Sequence, residues 1–224
     1  MLALLHLSDP TLPIGGFSHS SGLETYVQSG KVHDVKTAEE YVRNMLSMNL
    51  QYNDAAFMSL SFSAANTRDM DEIFRLDEQC TAYKLPSQIK AASQKLGIRL
   101  IKVFKSYYPS IMIDKYETAI NRKQVHGHYC ILFGIYASLM EIKLDDAITG
   151  FYYNAAVGMV TNAVKLIPLG QLDGQEILYR AQSLIKELVP KTVNPDLSML
   201  GRCNAGFDIA AMQHERLYSR LYMS

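Results

Sequence analysis

The spacing of its apolar residues constrains this chain most, because they recur every three or four positions over most of the sequence. Such spacing lines one face of an α-helix. Strand signals are few. The segment RLIKVFKSYY could alternate as a strand, but the helical phase before it continues unbroken through Phe104. We therefore predict an all-α fold. The clearest apolar face is that of Ile89, Ala92, Leu96, Leu100, Val103 and Phe104.

The predicted helices cover most of the chain. Pro86 suits a first helical turn, where its missing N–H costs nothing, and Thr37 with Glu40 has the spacing of a capping box. No internal repeat and no Pro/Gly/Ser-rich linker divides the sequence, so residues 1–224 are predicted to form a single compact multi-helix domain. Further helical patterns span residues 54–65, 69–83, 110–121, 125–141, 145–166 and 174–189.

The C-terminal segment has a different composition. Residues 190–207 lack an apolar period and are predicted to be an irregular or mobile connection. A last helix is expected to follow, capped by Asp208. Because terminal segments are poorly ordered unless something holds them, residues 190–224 are predicted to form a mobile helical tail. It could fold back on its own domain or bind a partner through an apolar stripe, which would consist of Ile209, Met212, Leu217 and Leu221.

Charge and cysteine content exclude several classes of protein. The chain has 22 Lys+Arg and 22 Asp+Glu without a run of like charges, which argues against binding to nucleic acid. Cys80, Cys130 and Cys203 cannot all pair, and a reducing cytoplasm is the expected compartment.

The longest uncharged run, 129–140, is shorter than the roughly 20 residues that cross a membrane. We expect no membrane association, and the N-terminus lacks the pattern of a secretion signal.

His126, His128 and Cys130 are candidate metal ligands, since nickel, copper and zinc all accept imidazole and thiolate. On a helix His126 and Cys130 would share a face while His128 would project away, so at most two ligands would converge. The interpretation we favour is a helix start with one core-facing and one solvent-facing histidine. The alternative is a transient contact for a metal in transit. In both cases no resident metal or cofactor is expected.

The segment LPIGGFSHSSGLE, residues 12–24, has the most unusual composition in the chain. It lacks the lysine of the phosphate-binding pattern GxxxxGK[ST]. Ser18 and His19 are adjacent and would point in different directions on a helix, and no GxSxG elbow surrounds them. We interpret the segment as a tight turn that leads into a helix. Since no set of catalytic groups converges elsewhere, we predict that the protein is not an enzyme.

Four segments carry a resemblance to a known family. They are residues 12–24, the stretch 128–175 with HYCILFGIYASLMEIKLDDAI and KLIPLGQLDGQ, the C-terminal MQHERLYSRLYMS at 212–224, and KLPSQIKAASQKLGIR at 84–99. Together they resemble the urease accessory protein UreF over essentially the whole chain. One departure is GRCNAGFDI, which stands where that family usually has a Ser/Thr-rich stretch.

The resemblance implies a non-enzymatic, all-α homodimer in the cytoplasm. Proteins of that family sit between the UreD/UreH scaffold protein and the GTPase UreG, in a complex that delivers nickel to apo-urease. This chain would accordingly be an adaptor, and it would either stimulate or gate GTP hydrolysis. The resemblance also implies that residues 190–224 become ordered when the scaffold binds. Nickel would be cargo in transit and not a resident cofactor of this chain.

The resemblance further indicates which residues bind partners. The family positions that can be matched are Tyr26, Tyr153 and Arg220. Further candidates lie along the C-terminal segment, at Asp208, His214, Glu215, Tyr218 and Leu221.

Two other functions can be weighed against the sequence. A nickel chaperone that sequesters metal would need more histidine and cysteine than six His and three Cys. A generic helical protein-interaction module without a nickel-related role remains the alternative to the adaptor.

Overall fold

Helices dominate the computed structural model, which describes residues 1–16, 19–20, 22–218 and 220–222. The described residues contain no β-strand, so the all-α prediction is confirmed. A π-helical turn at Met45–Asn49 continues the third helix, and short 3-10 turns lie at Leu50–Tyr52 and Leu197–Met199. In chain order the α-helices are α1 (Leu2–Leu7), α2 (Leu23–Gln28), α3 (Val35–Asn44), α4 (Asp54–Asn66), α5 (Met70–Tyr83), α6 (Ser87–Phe104), α7 (Ile111–Asn121), α8 (Tyr129–Leu139), α9 (Leu144–Leu166), α10 (Gln171–Val193) and α11 (Ala205–His214).

The helix α8 lies at the centre of the core. Every residue from 130 to 137 is buried, which follows from a sequence that is apolar on all sides. A β-carbon on Gly134 would lie only 2.4 Å from the carbonyl oxygen of Met58. The glycine therefore lets α8 pack closely against α4. None of the described helices is both long and apolar enough to cross a membrane.

The helix α10 extends further than its sequence pattern predicted, because it continues through Pro190 to Val193. Side chains hold its last turn. The Thr192 hydroxyl donates to the Leu188 carbonyl over 2.9 Å and shares a 2.8 Å hydrogen bond with the buried Tyr152 hydroxyl of α9. These contacts outweigh the tendency of an interior proline to end a helix. The prediction of irregular structure from residue 190 is wrong for this turn.

The start of α3 also differs from the prediction. Asp34 is the N-cap, and its carboxylate accepts the backbone N–H of Thr37 over 2.8 Å. The Thr37 hydroxyl accepts the backbone N–H of Asp34 in return, over 3.1 Å. The capping box therefore joins Asp34 to Thr37, and the predicted box of Thr37 and Glu40 is wrong. A short polar side chain that precedes the helix is the better cap.

Candidate partner-binding site at the C-terminal segment

The C-terminal helix α11 lies against α2 and α6. Its buried residues include Phe207, Ala210 and Ala211. The two alanines allow a close approach, since a β-carbon on Gly22 would lie 3.4 Å from the backbone nitrogen of Ala211. Thr25 of α2 donates its hydroxyl proton to the carbonyl of Ala210 over 2.9 Å. The described part of α11 is thus packed against its own domain, whereas order induced by a partner stays a prediction.

The apolar stripe predicted for this helix does not fold back on the domain, and it does not lie on a single helix, whereas its contact with a partner stays a prediction. Ile209 and Met212 are 54% and 44% exposed, so they face solvent instead of the domain. The helix ends at His214, and Leu217 and Leu221 lie beyond it. The physical reason is that small residues fit against α2, and tertiary packing therefore selects the face that carries them.

Asn204, and not Asp208, caps α11: its side-chain oxygen accepts the backbone N–H of Phe207. Asp208 lies in the first turn, where its carboxylate accepts a 3.3 Å hydrogen bond from the Cys203 thiol. Burial, and secondly the charge of Asp208, raise the pKa of the half-buried Tyr26. A β-carbon on Gly206 would lie 3.5 Å from the Tyr26 hydroxyl, so Tyr26 lies against the start of α11.

The carboxylate of Glu24 connects α2 with the end of the chain. Glu24 is 4% exposed, and one of its oxygens lies 2.9 Å from Nε2 of the fully buried His214. The backbone N–H groups of Leu221 and Tyr222 donate to the same carboxylate over 2.7 and 3.3 Å. Nδ1 of His214 lies 3.3 Å from the side-chain oxygen of Gln88 on α6. His214, Leu221 and Tyr222 are thus hydrogen-bonded to α2, and His214 also contacts α6.

The remaining candidates of this segment point outward. The Glu215 carboxylate accepts the Ser87 hydroxyl over 2.6 Å, so it lies over the start of α6. Tyr218 is fully exposed, Leu221 is 66% exposed, and Arg220 is exposed as well. All three side chains are therefore accessible to a partner, while the backbone N–H of Leu221 is hydrogen-bonded to Glu24.

An open groove of about 530 Å³ lies next to this region. Tyr26 lines it together with Tyr41 and Met48 from the α3 side. Arg202, from the segment before α11, and Phe207 of α11 complete the lining. The rings of Tyr26 and Tyr41 are 5.6 Å apart between centroids. Tyr26 is therefore accessible from the groove.

A second buried polar group surrounds Asp77 of α5. This fully buried carboxylate accepts the backbone N–H groups of His126, Gly127 and His128 over 2.6, 2.9 and 3.1 Å. The Tyr116 hydroxyl also donates to it, and burial together with Asp77 raises the pKa of Tyr116. One carboxylate therefore fixes the loop that precedes α8.

His126, Gly127 and His128 are not helical, which corrects the predicted helix of residues 125–141. The helix α8 begins only at Tyr129, with His128 as its N-cap, and Gly127 has a φ of +77°. That left-handed conformation favours glycine and is incompatible with a continuous helix. The structure nevertheless shows His128 facing the core and His126 facing solvent.

Both ring nitrogens of His128 have hydroxyl partners. Nδ1 lies 3.1 Å from the Ser93 oxygen and Nε2 lies 2.8 Å from the Thr81 oxygen. Burial, and secondly the charge of Lys84, lower the pKa of His128 to about 4. The ring is therefore a neutral part of the core at neutral pH.

Cys130 faces another cysteine. Its Sγ atom lies 3.7 Å from that of Cys80, both thiols are free and buried, and burial raises the pKa of Cys130. Across the described part of the chain, no three His, Cys, Asp or Glu side chains are placed to hold a metal ion. His126, His128 and Cys130 thus do not converge, and weak contact with nickel stays a prediction.

Comparison with known proteins identifies the family. The family model UreF matches residues 32–182. The chain is 47% identical over 222 residues to the urease accessory protein UreF of Actinobacillus pleuropneumoniae serotype 5b (strain L20), which covers 99% of this chain and 98% of that relative. The chain belongs to the UreF family. The membership expected from the sequence is confirmed.

Two further UreF relatives extend the comparison. The protein of Haemophilus influenzae (strain PittEE) is 48% identical over 222 residues, covering 99% of this chain and 94% of that relative. The protein of Corynebacterium efficiens is 30% identical over 223 residues, covering 100% of this chain and 96% of that relative. Glu24 and His214 lie outside the match to the UreF family model, but the relatives align along nearly the whole chain.

In this UreF chain the candidate residues lie in two places. Most of them lie at or near the contact between α2 and α11. Tyr153 lies apart, on α9, and is 43% exposed. Among the described residues no hydrogen bond links Tyr153 to that contact. The sequence analysis missed Glu24. The available signal was an acidic residue directly after a Gly/Ser-rich segment.

Proposed function

We propose that this UreF protein is a non-catalytic adaptor in urease maturation. It connects the UreD/UreH scaffold protein to the GTPase UreG while nickel is delivered to apo-urease. The relatives are named urease accessory proteins, which supports a maturation role. The observation that carries the adaptor role is the C-terminal segment, whose backbone is hydrogen-bonded to Glu24 while Tyr218 and Arg220 face solvent.

Arg220 is the residue we assign to the GTPase. A guanidinium group is planar and can donate two parallel hydrogen bonds to a carboxylate across an interface. Arginines and tyrosines dominate the binding energy of many protein interfaces, and Tyr218, two positions earlier in the chain, is fully exposed. Through this contact the adaptor would modulate or gate GTP hydrolysis.

The outward face of α11 is the surface we assign to the scaffold. Ile209 and Met212 are three positions apart on α11 and about half exposed, so they form a small apolar surface on the outward side of this helix. Burying such side chains against a partner is favourable because it removes apolar area from water. One helix would then serve two contacts, one inside the chain and one with the scaffold.

We further propose that the protein works as a homodimer in the cytoplasm. Symmetric dimers are the commonest homo-oligomers, and Leu2 and Leu5 of α1 are 83% and 60% exposed. Free cysteines suit a reducing compartment. Light scattering at tens of micromolar should give about twice the monomer mass, and a monomer at that concentration would contradict the dimer.

The adaptor role is tested with Arg220→Ala. We expect this variant to melt within a few degrees of the wild type and to bind UreD/UreH, but to lose UreG in size-exclusion chromatography of the mixed components. Urease matured with it should lack nickel. Arg216→Ala, which removes another exposed arginine from the same segment, is the matched control and should retain UreG.

Two results would contradict this role. One is recruitment of UreG by Arg220→Ala at the wild-type level. The other is a loss of recruitment that merely follows an early melt. Deletion of all residues after Gly206 should go further and weaken scaffold binding as well, since it removes most of α11.

A further inference from the structure

The structure assigns a reversible redox modification to Cys80 and Cys130, whose thiols form an intramolecular disulfide when a peroxide reaches the core. Cys80 lies in the last turn of α5, and Cys130 lies in the first turn of α8. Their Sγ atoms are 3.7 Å apart, and both thiols are free and buried. This chemistry does not depend on the proposed adaptor role.

The distance between the two sulfur atoms suits a cross-link. A disulfide bond is roughly 2 Å long, so the sulfurs need to approach each other by less than about 2 Å. A cysteine side chain can move its sulfur over that range by rotating about χ1. The product also suits a buried site, because a disulfide carries no charge and leaves no thiol proton without an acceptor.

Asp54 connects the thiol pair with solvent. Its side chain is 20% exposed, and together with Lys84 it lines a cavity of about 260 Å³. Burial would raise the pKa of Asp54, but Lys84 outweighs burial and lowers it, and the Cys130 thiol adds a weaker hydrogen bond to the same carboxylate. A small oxidant such as hydrogen peroxide therefore has a route through the cavity to the Cys130 sulfur.

The reaction takes two steps, with hydrogen peroxide as the oxidant. In the first step the Cys130 sulfur attacks a peroxide oxygen, so that an S–O bond forms and the O–O bond breaks. The departing hydroxide takes up the thiol proton and leaves as water. In the second step the Cys80 sulfur attacks the resulting sulfenic acid, so that the S–S bond forms and the S–O bond breaks. The Cys80 proton leaves with this hydroxide as a second water, and the two thiols together have given two electrons to the peroxide.

Burial sets the rate of this reaction. The thiolate is the reactive form, and burial raises the pKa of Cys130, so little thiolate is present at neutral pH. The pair therefore stays reduced in a reducing compartment. Only sustained exposure to peroxide closes the disulfide.

The neighbouring thiol protects the core against irreversible oxidation. A sulfenic acid without a thiol partner proceeds to a sulfinic acid, which thiol reductants do not reverse. The negative charge of a sulfinate at Cys130 would lie beside the Asp54 carboxylate, where like-charge repulsion adds to the cost of burial. Cys80 intercepts Cys130 before that stage. The disulfide instead joins α5 to α8, close to where Asp77 fixes the loop before α8.

Mass spectrometry of the peroxide-treated protein tests the cross-link. The full chain carries Cys203→Ser for this purpose, because the exposed Cys203 would otherwise react as well. We expect the intact mass to fall by the mass of two hydrogen atoms. Digestion without reductant should release a peptide pair that joins Cys80 to Cys130, and dithiothreitol should reverse both changes.

Thermal melting then shows what the cross-link does to the fold. The disulfide closes a loop of about 50 residues and restricts the unfolded chain, so it should raise the melting temperature by at least about 5 °C. In the same background, Cys80→Ser leaves Cys130 without its partner. Peroxide should then add oxygen atoms that dithiothreitol does not remove, and the melting temperature should fall. Cys130→Ser removes the sulfur beside Asp54 and is the matched control, whose mass should not change during the same exposure.

The disulfide is ruled out if the folded protein keeps both thiols through an exposure that fully oxidises Cys203 in the wild-type chain. It is also ruled out if peroxide only adds oxygen to the pair, or if the new bond joins two chains on a gel without reductant. A disulfide that lowers the melting temperature would show that the cross-link strains the core and does not protect it. These results need only the wild-type and Cys203→Ser chains, so they stand whether or not Cys80→Ser folds.

Discussion

The backbone N–H of His128 donates a 3.1 Å hydrogen bond to the buried carboxylate of Asp77, 51 residues earlier in the chain. The N–H groups of His126 and Gly127 donate to the same carboxylate. A histidine-rich motif that suggested metal chemistry therefore joins α5 to the start of α8. Its first role is to complete the core.

Removal of the Asp77 carboxylate should be strongly destabilising. Asp77→Ala leaves three backbone donors and the Tyr116 hydroxyl without their acceptor, and we expect a loss of about 3 kcal/mol or more. Urea unfolding followed by circular dichroism measures it. Asp71→Ala, at an exposed position of the same helix, should change the stability by less than about 1 kcal/mol. Equal midpoints for the two variants would contradict the role of Asp77.

The buried His128 should make stability depend on pH. Its pKa is lowered from 6.5 to about 4, first by burial and then by the charge of Lys84, against the opposing charges of Asp77 and Asp54. Between these two pH values the unfolded chain binds a proton that the folded chain does not. Stability should therefore be complete above pH 6.5 and should fall as the pH decreases towards 4.

Unfolding curves in urea at pH 7.5, 6.0 and 4.5 test this dependence. The His128→Gln variant should be less stable than the wild type at pH 7.5. It should, however, lose less of its stability than the wild type does between pH 6.5 and 4. His126→Ala, at the exposed neighbouring position, should keep the wild-type slope. A wild-type slope in His128→Gln would show that other groups cause the acid sensitivity.

The isolated protein should bind nickel only weakly. Coordination by His128 would require its ring to abandon Ser93 or Thr81, and Cys130 would have to lose its proton in a buried site. Equilibrium dialysis should show no site with a submicromolar dissociation constant. A submicromolar site that disappears in His128→Ala would contradict this expectation.

The two faces of α11 should respond differently to truncation. Phe207 is 6% exposed, and Phe207→Ala should cost about 3 kcal/mol because it leaves a cavity between α11 and the domain. Ile209→Ala, at a position that is 54% exposed, should change stability by less than about 0.5 kcal/mol but weaken binding to UreD/UreH. Thermal melts and a binding titration separate the two effects. Normal scaffold binding by Ile209→Ala would remove the outward face of α11 from the proposed interface.

The helical class and most helix positions could be predicted from the sequence. The pattern from Ile89 to Phe104 predicted α6 correctly, because an amphipathic helix is encoded by the spacing of nearby residues. The matched segments likewise identified the UreF family. Details that depend on distant contacts could not be predicted. Pro190 remains inside α10 because Thr192 meets Tyr152, and no local pattern contains that contact.

The candidate site shows the same division. The resemblance to UreF pointed to Arg220 in the C-terminal segment. Only tertiary structure revealed which face of α11 is buried, since that depends on the fit of Ala210 and Ala211 against α2. It also joined His214 to Glu24, 190 residues apart. A buried charge is tolerated only where donors surround it, and chain folding, not sequence distance, brings those donors together.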